Sequence, residues 1–288
     1  MPRPVCITYD STCDLTPQLL ERFQIRTVPL TIQSGERVFA DDGQYTSADL
    51  YADYRRNGTL PKTAAVSPEE FKSFFSPILE EGYDIVHIDI SSELSCTCQN
   101  AVLAAQELAE QGRVYVVDSR QLSTGGGLLA LQGAKLRDSG MDAADVAEEL
   151  RGLASCGDTS FVLDTLEYMW KGGRCSGVAA LGANVLKLKP CLEMREGKLV
   201  VCKKYRGAMG KVYRQYITER LAGKTVVEDH AFITHSGEVS EDTLRELTEL
   251  VRELAPFKEV FITQAGCTVS SHCGPGTLGV LFLRQPAQ

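Results

Sequence analysis

The sequence predicts an α/β protein of two domains, a parallel sheet with helices followed by a mixed α/β unit. Three observations predict it. Short apolar runs alternate with helical patterns through the first half, which implies parallel pairing through crossover connections. After about residue 155 the rhythm changes to a hairpin signal and strands that follow one another closely. Nothing between the halves reads as a flexible linker, so they are expected to pack together around a cleft. The N-terminal domain is placed at 1–155 and the C-terminal domain at 156–288.

The elements follow in order. VCITY (5–9) reads as a strand, and DSTCDLTPQLLERF turns into a short helix. IRTVPLTI (25–32) is the next strand, and 33–67 is polar, with turn signals at Asp41-Asp42-Gly43 and Asn57-Gly58. The helix at 67–82 opens with a capping serine and Pro68 at its first position, and it stops at Gly82. Strand 83–90, helix 96–111, strand 113–119 and helix 124–139 complete the first half. In the second half, TSFVLDTLEYMWKGGR sets a strand against a short helix and a glycine turn. Residues 190–205 form two strands around Glu196-Gly197. Helix 207–222, strand 230–236, helix 240–255 and strands 259–265 and 278–283 follow.

Composition narrows the function classes. With 43% hydrophobic and 24% charged residues, the 288-residue chain reads as an ordinary globular protein. Its net charge of −8 argues against a general nucleic-acid binder, which needs a basic footprint. The charge is uneven: residues 187–211 hold eight basic residues against two acidic ones, a net of +6, leaving −14 elsewhere. That segment is either a solvated face or a dock for an acidic partner or anionic head groups. The N-terminus has no apolar signal core and no run approaches a membrane span, so the cytoplasm is expected, with the ten cysteines as thiols. Cys96-x-Cys98 and Cys267-x5-Cys273 are the close pairs, and with four histidines in the chain they read as small hydrophobes rather than as a metal clip.

Four polar loops each follow a strand end, the edge where open α/β sheets bind ligands. They are Asp10-Ser11-Thr12, the stretch 91–97, Asp118 through Gly127, and Ser270 through Gly276. A helix beginning near Ser95 would aim free N–H groups and its dipole at the loop, a cradle for an anion, although a plain N-cap uses the same chemistry. Glu93-Leu94-Ser95-Cys96-Thr97 lacks the small flanking residues of a serine-hydrolase elbow. His272 could still act as a base, oriented by Asp10 or Asp118. Gly125-Gly126-Gly127 lacks both phosphate-loop patterns and reads as a glycine entry to a helix.

Taken together, five pieces in order resemble the DegV family, bacterial fatty-acid-binding proteins that serve as the lipid-presenting subunit of fatty acid kinase. They are Asp10-Ser11-Thr12-x-Asp14-Leu15, Ser91-Ser92-x-Leu94-Ser95-x-Thr97, Val117-Asp118-Ser119, Lys171-Gly172-Gly173-Arg174 and His272-x-Gly274-Pro275-Gly276. The resemblance implies a Rossmann-like N-terminal domain, a C-terminal α/β domain, and a ligand tunnel between them that holds one long-chain fatty acid such as palmitate or a C18 acid. It implies carboxylate contacts from Thr63 and Ser95, with His272 in the family's histidine turn. Ala64, Ala65 and Val66 depart from the family's first loop, and Cys96 and Cys273 stand where glycine and threonine are usual. It further implies no cofactor, no metal and no catalysis by this chain, and a kinase catalytic subunit as partner; resemblance and charge together point to Arg174 and Arg206 as docking residues, and a transient membrane contact is expected. The two rival readings are a serine-dependent esterase using Ser95 and His272, and a sensor of another apolar acid.

Overall fold

The computed structural model describes residues 3–175 and 188–285, so Lys187 of the basic segment lies outside the described residues. Within them the strands are β1 (Val5–Asp10), β2 (Ile25–Val28), β3 (Thr31–Ser34), β4 (Arg37–Ala40), β5 (Lys62–Ala64), β6 (Asp84–Asp89), β7 (Val114–Asp118), β8 (Gly157–Val162), β9 (Leu188–Arg195), β10 (Lys198–Arg206), β11 (Val226–His235), β12 (Glu259–Gln264) and β13 (Leu278–Arg284). The first half builds the expected parallel sheet, in the order β2-β1-β6-β7. All six residues of β1 are buried, as a central strand covered on both faces requires. The second half builds a six-stranded sheet, β10-β9-β8-β13-β11-β12, antiparallel except for the β11–β12 pair.

One helix joins the two sheets into a single core. Thr124–Asp138 lies against β1 on one side and β8, β11 and β13 on the other, and its core cluster takes residues from both sheets. The triple glycine makes that approach possible. A Cβ on Gly125 would come within 1.9 Å of Thr159 Oγ1, and one on Gly126 within 1.8 Å of Tyr9 Oη. These glycines are consumed in helix–sheet packing rather than in cradling a phosphate.

Three expectations need correction. The run 25–32 is two strands: β2 lies in the parallel sheet and β3 in a separate antiparallel sheet of order β4-β3-β5. Pro29 separates them, because it has no N–H to continue a ladder. The polar stretch 33–67 is folded, with β4, β5 and the helix Ser47–Asn57 inside it. Thr46 and Asp49 form a capping box, and Leu50 and Tyr51 turn inward. This unit is docked on the second half: Tyr51 Oη donates to Ser236 O at 2.8 Å, and Gln264 Nε2 donates to Ser47 Oγ at 2.8 Å. Finally, the sequence reading missed the helix Ala143–Leu153, capped by Asp142 and buried through Val146, Ala147 and Leu150.

Candidate functional site

A cavity of about 370 Å³ opens where the carboxyl ends of the parallel strands face the second half. Leu30 follows β2, Ile90 and Leu94 follow β6, and Leu122 follows β7, so the wall grows from the strand ends where ligands bind in such sheets. From the other half come Met169, Leu199, Val269 and Cys273. Thr63, Ser95, His272 and Arg174 also line it, so the structure brings together four of the five residues singled out in the sequence. Arg206 is exposed at the far end of β10 and is not part of the lining.

Each polar group is positioned by a different device. Thr63 sits in β5 opposite the buried Ile32 of β3. Val66, one of the departures from the family's first loop, is 1% exposed in the core, and its carbonyl accepts from Asn100 Nδ2 at 2.7 Å. The apolar substitution therefore anchors the loop instead of loosening it.

Ser95 precedes the helix Thr97–Glu107, which starts one residue later than the expected 96, with Cys96 at its cap. Cys96 has φ −78° and ψ 4°, a conformation open to any L-residue, so replacing the usual glycine costs the turn no strain. Ser95 Oγ accepts from Thr97 N at 3.2 Å and lies 2.7 Å from Thr97 Oγ1. When Thr97 donates both bonds, the two lone pairs of Ser95 are used and its own O–H is left to point elsewhere.

His272 lies in the last turn of the helix Cys267–Cys273, where a polar loop is expected from Ser270 onward. Gly274 ends that helix with φ 76°, and a Cβ there would meet Tyr168 Cδ2 at 2.5 Å. The start of the helix is held by the other half of the chain: Gly266 N donates to Asp14 Oδ1 at 2.8 Å, Cys267 N to Asp41 Oδ1 at 2.8 Å and Thr268 N to Asp41 Oδ2 at 3.0 Å. The sequence marks neither carboxylate as a cap, because both bonds span more than two hundred residues.

Burial, and then the Arg174 charge, push the His272 pKa down to about 4, so the imidazole is neutral at pH 7. Its Nε2 lies 3.2 Å from Thr63 Oγ1, and its buried Nδ1 has no hydrogen-bond partner among the described residues. An unpartnered buried acceptor is less costly than an unpartnered N–H. That assigns the proton to Nε2, which donates to Thr63 and frees the threonine O–H as a donor.

The esterase constellation is not assembled among the described residues. Ser95 bonds to Thr97 and not to His272. Asp10 accepts from Thr12 N and Ile90 N, each at 2.8 Å, and its carboxyl is pushed up to about 7 by burial and then by Asp89. Asp118 accepts from Ser92 Oγ at 2.6 Å and Arg120 N at 2.9 Å. Neither carboxylate orients the histidine. Among the described residues, no group of three His, Cys, Asp or Glu side chains is placed to hold a metal ion, and no helix is long and apolar enough to cross a membrane.

Much of the basic segment is paired internally: Lys198 with Glu93, Lys203 with Glu219, Lys189 with Asp164 and Arg195 with Glu193. Among the described residues, Lys204, Arg206 and Lys211 make no ion pair within 4 Å.

The profile of the family described as uncharacterised protein, DegV family, matches residues 4–285. A DegV domain-containing protein of Deinococcus radiodurans is 30% identical, over 96% of this chain and 97% of its own. The structure of a fatty-acid-binding DegV family protein from Thermus thermophilus superposes with a TM-score of 0.87 at 31% identity, covering 98% of this chain and 99% of that one. The fatty acid kinase B3 protein of Streptococcus pneumoniae, solved with linoleic acid, gives 0.83 over 98% of this chain and 100% of its own. At 22% identity, that last likeness is one of fold.

Proposed function

The chain belongs to the DegV family, and from that premise we propose that it binds one long-chain fatty acid in this cavity and presents the carboxylate to a partner kinase. The observation that carries the reading is the division of the wall. Leu30, Ile90, Leu94, Leu122, Met169, Leu199 and Val269 offer an apolar surface, Thr63, Ser95, His272 and Arg174 line the same cavity, and Thr63 meets His272 at 3.2 Å. A sixteen-carbon tail carries about fifteen CH₂ and CH₃ groups at roughly 0.8 kcal/mol each, a gross gain of about 12 kcal/mol before the cost of association. Hydrogen bonds to a charged head contribute roughly 1.5–3 kcal/mol each. The tail therefore supplies most of the affinity, and the head contacts fix where the carboxylate sits.

In this reading Thr63 and Ser95 each donate an O–H to the carboxylate. Their own oxygens are already supplied with donors by His272 and Thr97, so neither competes as an acceptor. Arg174 lines the same cavity, and its charge acts on His272. The carboxylate oxygen is the nucleophile toward the phosphoryl group that the kinase supplies, so the carrier needs no base of its own. Arg174 and Arg206 are the proposed docking cations for an acidic partner face, working in the cytoplasm with a transient membrane contact for loading. The two lobes of this carrier are taken to divide near residue 155.

Organic extraction of the purified protein followed by mass spectrometry tests the reading, with one equivalent of a C16 or C18 acid as the expected result. Recovery of a different apolar acid would favour the sensor, and empty protein with no affinity for added palmitate would defeat both. A burst of product from a chromogenic acyl ester, lost in Ser95→Ala, would favour the esterase.

A further inference from the structure

Two of the ten cysteines are placed for chemistry that lipid carriage does not use. Cys202 is exposed on β10, and Cys191 is 2% exposed on the adjacent β9. The ladder between these strands shifts register between Val201 and Lys203: Val201 faces Leu192 and Lys203 faces Cys191. Cys202 is therefore the extra residue of a β-bulge, unpaired in the ladder. Its thiol donates to the Cys191 backbone carbonyl at 3.4 Å, while the Cys191 thiol points to Leu192 O at 3.8 Å.

The surroundings separate the roles of the two sulfurs. The neighbouring Cys191 side chain and then the Arg220 guanidinium hold the Cys202 thiol below its ordinary value, against opposing burial and Glu193. Arg220 is fixed by Asp158 at 2.5 Å and Glu193 at 2.6 Å. Cys191 is raised, first by the neighbouring Cys202 and then by burial among Val162, Tyr205 and Tyr216. The pair thus joins an exposed, acidified thiol to a buried thiol that water does not reach. The remaining close pairs lack this arrangement: Cys98 is buried beside exposed Cys96 and raised by burial, and Cys267 and Cys273 are both buried at opposite ends of one short helix.

We propose that Cys202 and Cys191 form a hydroperoxide-responsive dithiol that closes to a disulfide across the β9–β10 bulge. The Cys202 thiolate attacks one peroxide oxygen, the O–O bond breaks, and the departing hydroxide takes a proton to become water. Cys202 is then a sulfenic acid, oxidised by two electrons. The Cys191 sulfur attacks the Cys202 sulfur, loses its proton, and expels the sulfenic oxygen as a second water. Two thiols and one hydrogen peroxide give one disulfide and two waters, and a dithiol reductant reverses the change. The bond pins β10 to β9 three residues beyond Leu199, which lines the cavity.

The test treats the full-length protein with one to five equivalents of hydrogen peroxide, blocks remaining thiols with iodoacetamide, and reads intact mass and non-reduced peptides. The expected result is a protein carrying two fewer carbamidomethyl groups than the reduced control, about 116 Da lighter, with a Cys191–Cys202 linked peptide that appears before any other cysteine is modified and is removed by dithiothreitol. Cys202→Ser should abolish the link. Cys191→Ala should leave Cys202 as a sulfenic acid that dimedone traps, and a melting curve on each variant confirms that it is folded. First oxidation at Cys96, over-oxidation of Cys202 without a link in the wild type, or an unreacted Cys202 would each overturn the proposal.

Discussion

Replacing Ser95 with alanine removes one proposed donor from the cavity and leaves the apolar wall intact. Two effects follow, and they separate in different assays. The first is on ligand affinity. A hydrogen bond to a carboxylate is worth roughly 1.5–3 kcal/mol, so affinity for a C16 acid should fall by about 2 kcal/mol, a factor of about thirty. The tail contribution of about 12 kcal/mol is untouched, so binding survives. The second is on the free protein. Ser95 Oγ now serves Thr97 N at 3.2 Å and Thr97 Oγ1 at 2.7 Å, and Thr97 is fully buried. Leaving those donors unpaired costs about 1–3 kcal/mol, which lowers Tm by several degrees. Displacement of a fluorescent fatty acid from delipidated protein, run with palmitic acid and with its methyl ester, isolates the head term. Wild type should prefer the acid, and Ser95→Ala should lose most of that preference while acyl-phosphate formation with the kinase falls. An equal loss for acid and ester, or unchanged acyl-phosphate output, would refute the positioning role.

Three further outcomes are expected. His272 has a folded pKa of about 4 against an ordinary 6.5, so the stability from its neutral imidazole is complete above pH 6.5 and is lost as pH falls toward 4. Wild type should therefore lose up to about 3 kcal/mol relative to His272→Gln across that window, and a constant difference in chemical denaturation would contradict the buried neutral assignment. Gly126→Ala should lower Tm or prevent folding, because its Cβ falls 1.8 Å from Tyr9 Oη and overpacking of 1–3 kcal/mol outweighs alanine's helix preference of about 1 kcal/mol. Gly152→Ala, with nothing within 4 Å, should match or exceed wild type, and equal melting of the two variants would dispose of the close-approach account. Leu94→Trp, at the half-buried part of a cavity of about 370 Å³, should shift the co-purifying acids to shorter chains, and an unchanged profile by mass spectrometry would place the tail elsewhere.

The parallel sheet was legible because its information is local. β1, β6 and β7 are short apolar runs bounded by turn and cap residues, and periodicity reads such runs directly. The helix Ser47–Asn57 was hidden by its composition: one inward face of Leu50 and Tyr51 is a weak signal in a polar stretch, and what stabilises it is docking on Ser236 and Gln264. Thr63, Ser95 and His272 could be picked out by family motif, and Arg174 by motif and charge. Their convergence, Thr97 as the partner of Ser95, and the carboxylates that hold the His272 helix could not be read in this way.

The sequence by itself determined the strands β1, β6 and β7 and the helices Pro68–Glu80, Thr97–Glu107 and Thr124–Asp138 of the parallel half, and which polar residues stand at strand ends. Tertiary structure decided that Thr63 meets His272 across 209 positions, and that Asp14 and Asp41 cap a helix from the other half. It also decided that a bulge sets Cys202 beside Cys191. The physical reason is range: propensity and capping act within a turn or two of chain, whereas desolvation, orphaned donors and thiol neighbours exist once distant segments share one interior.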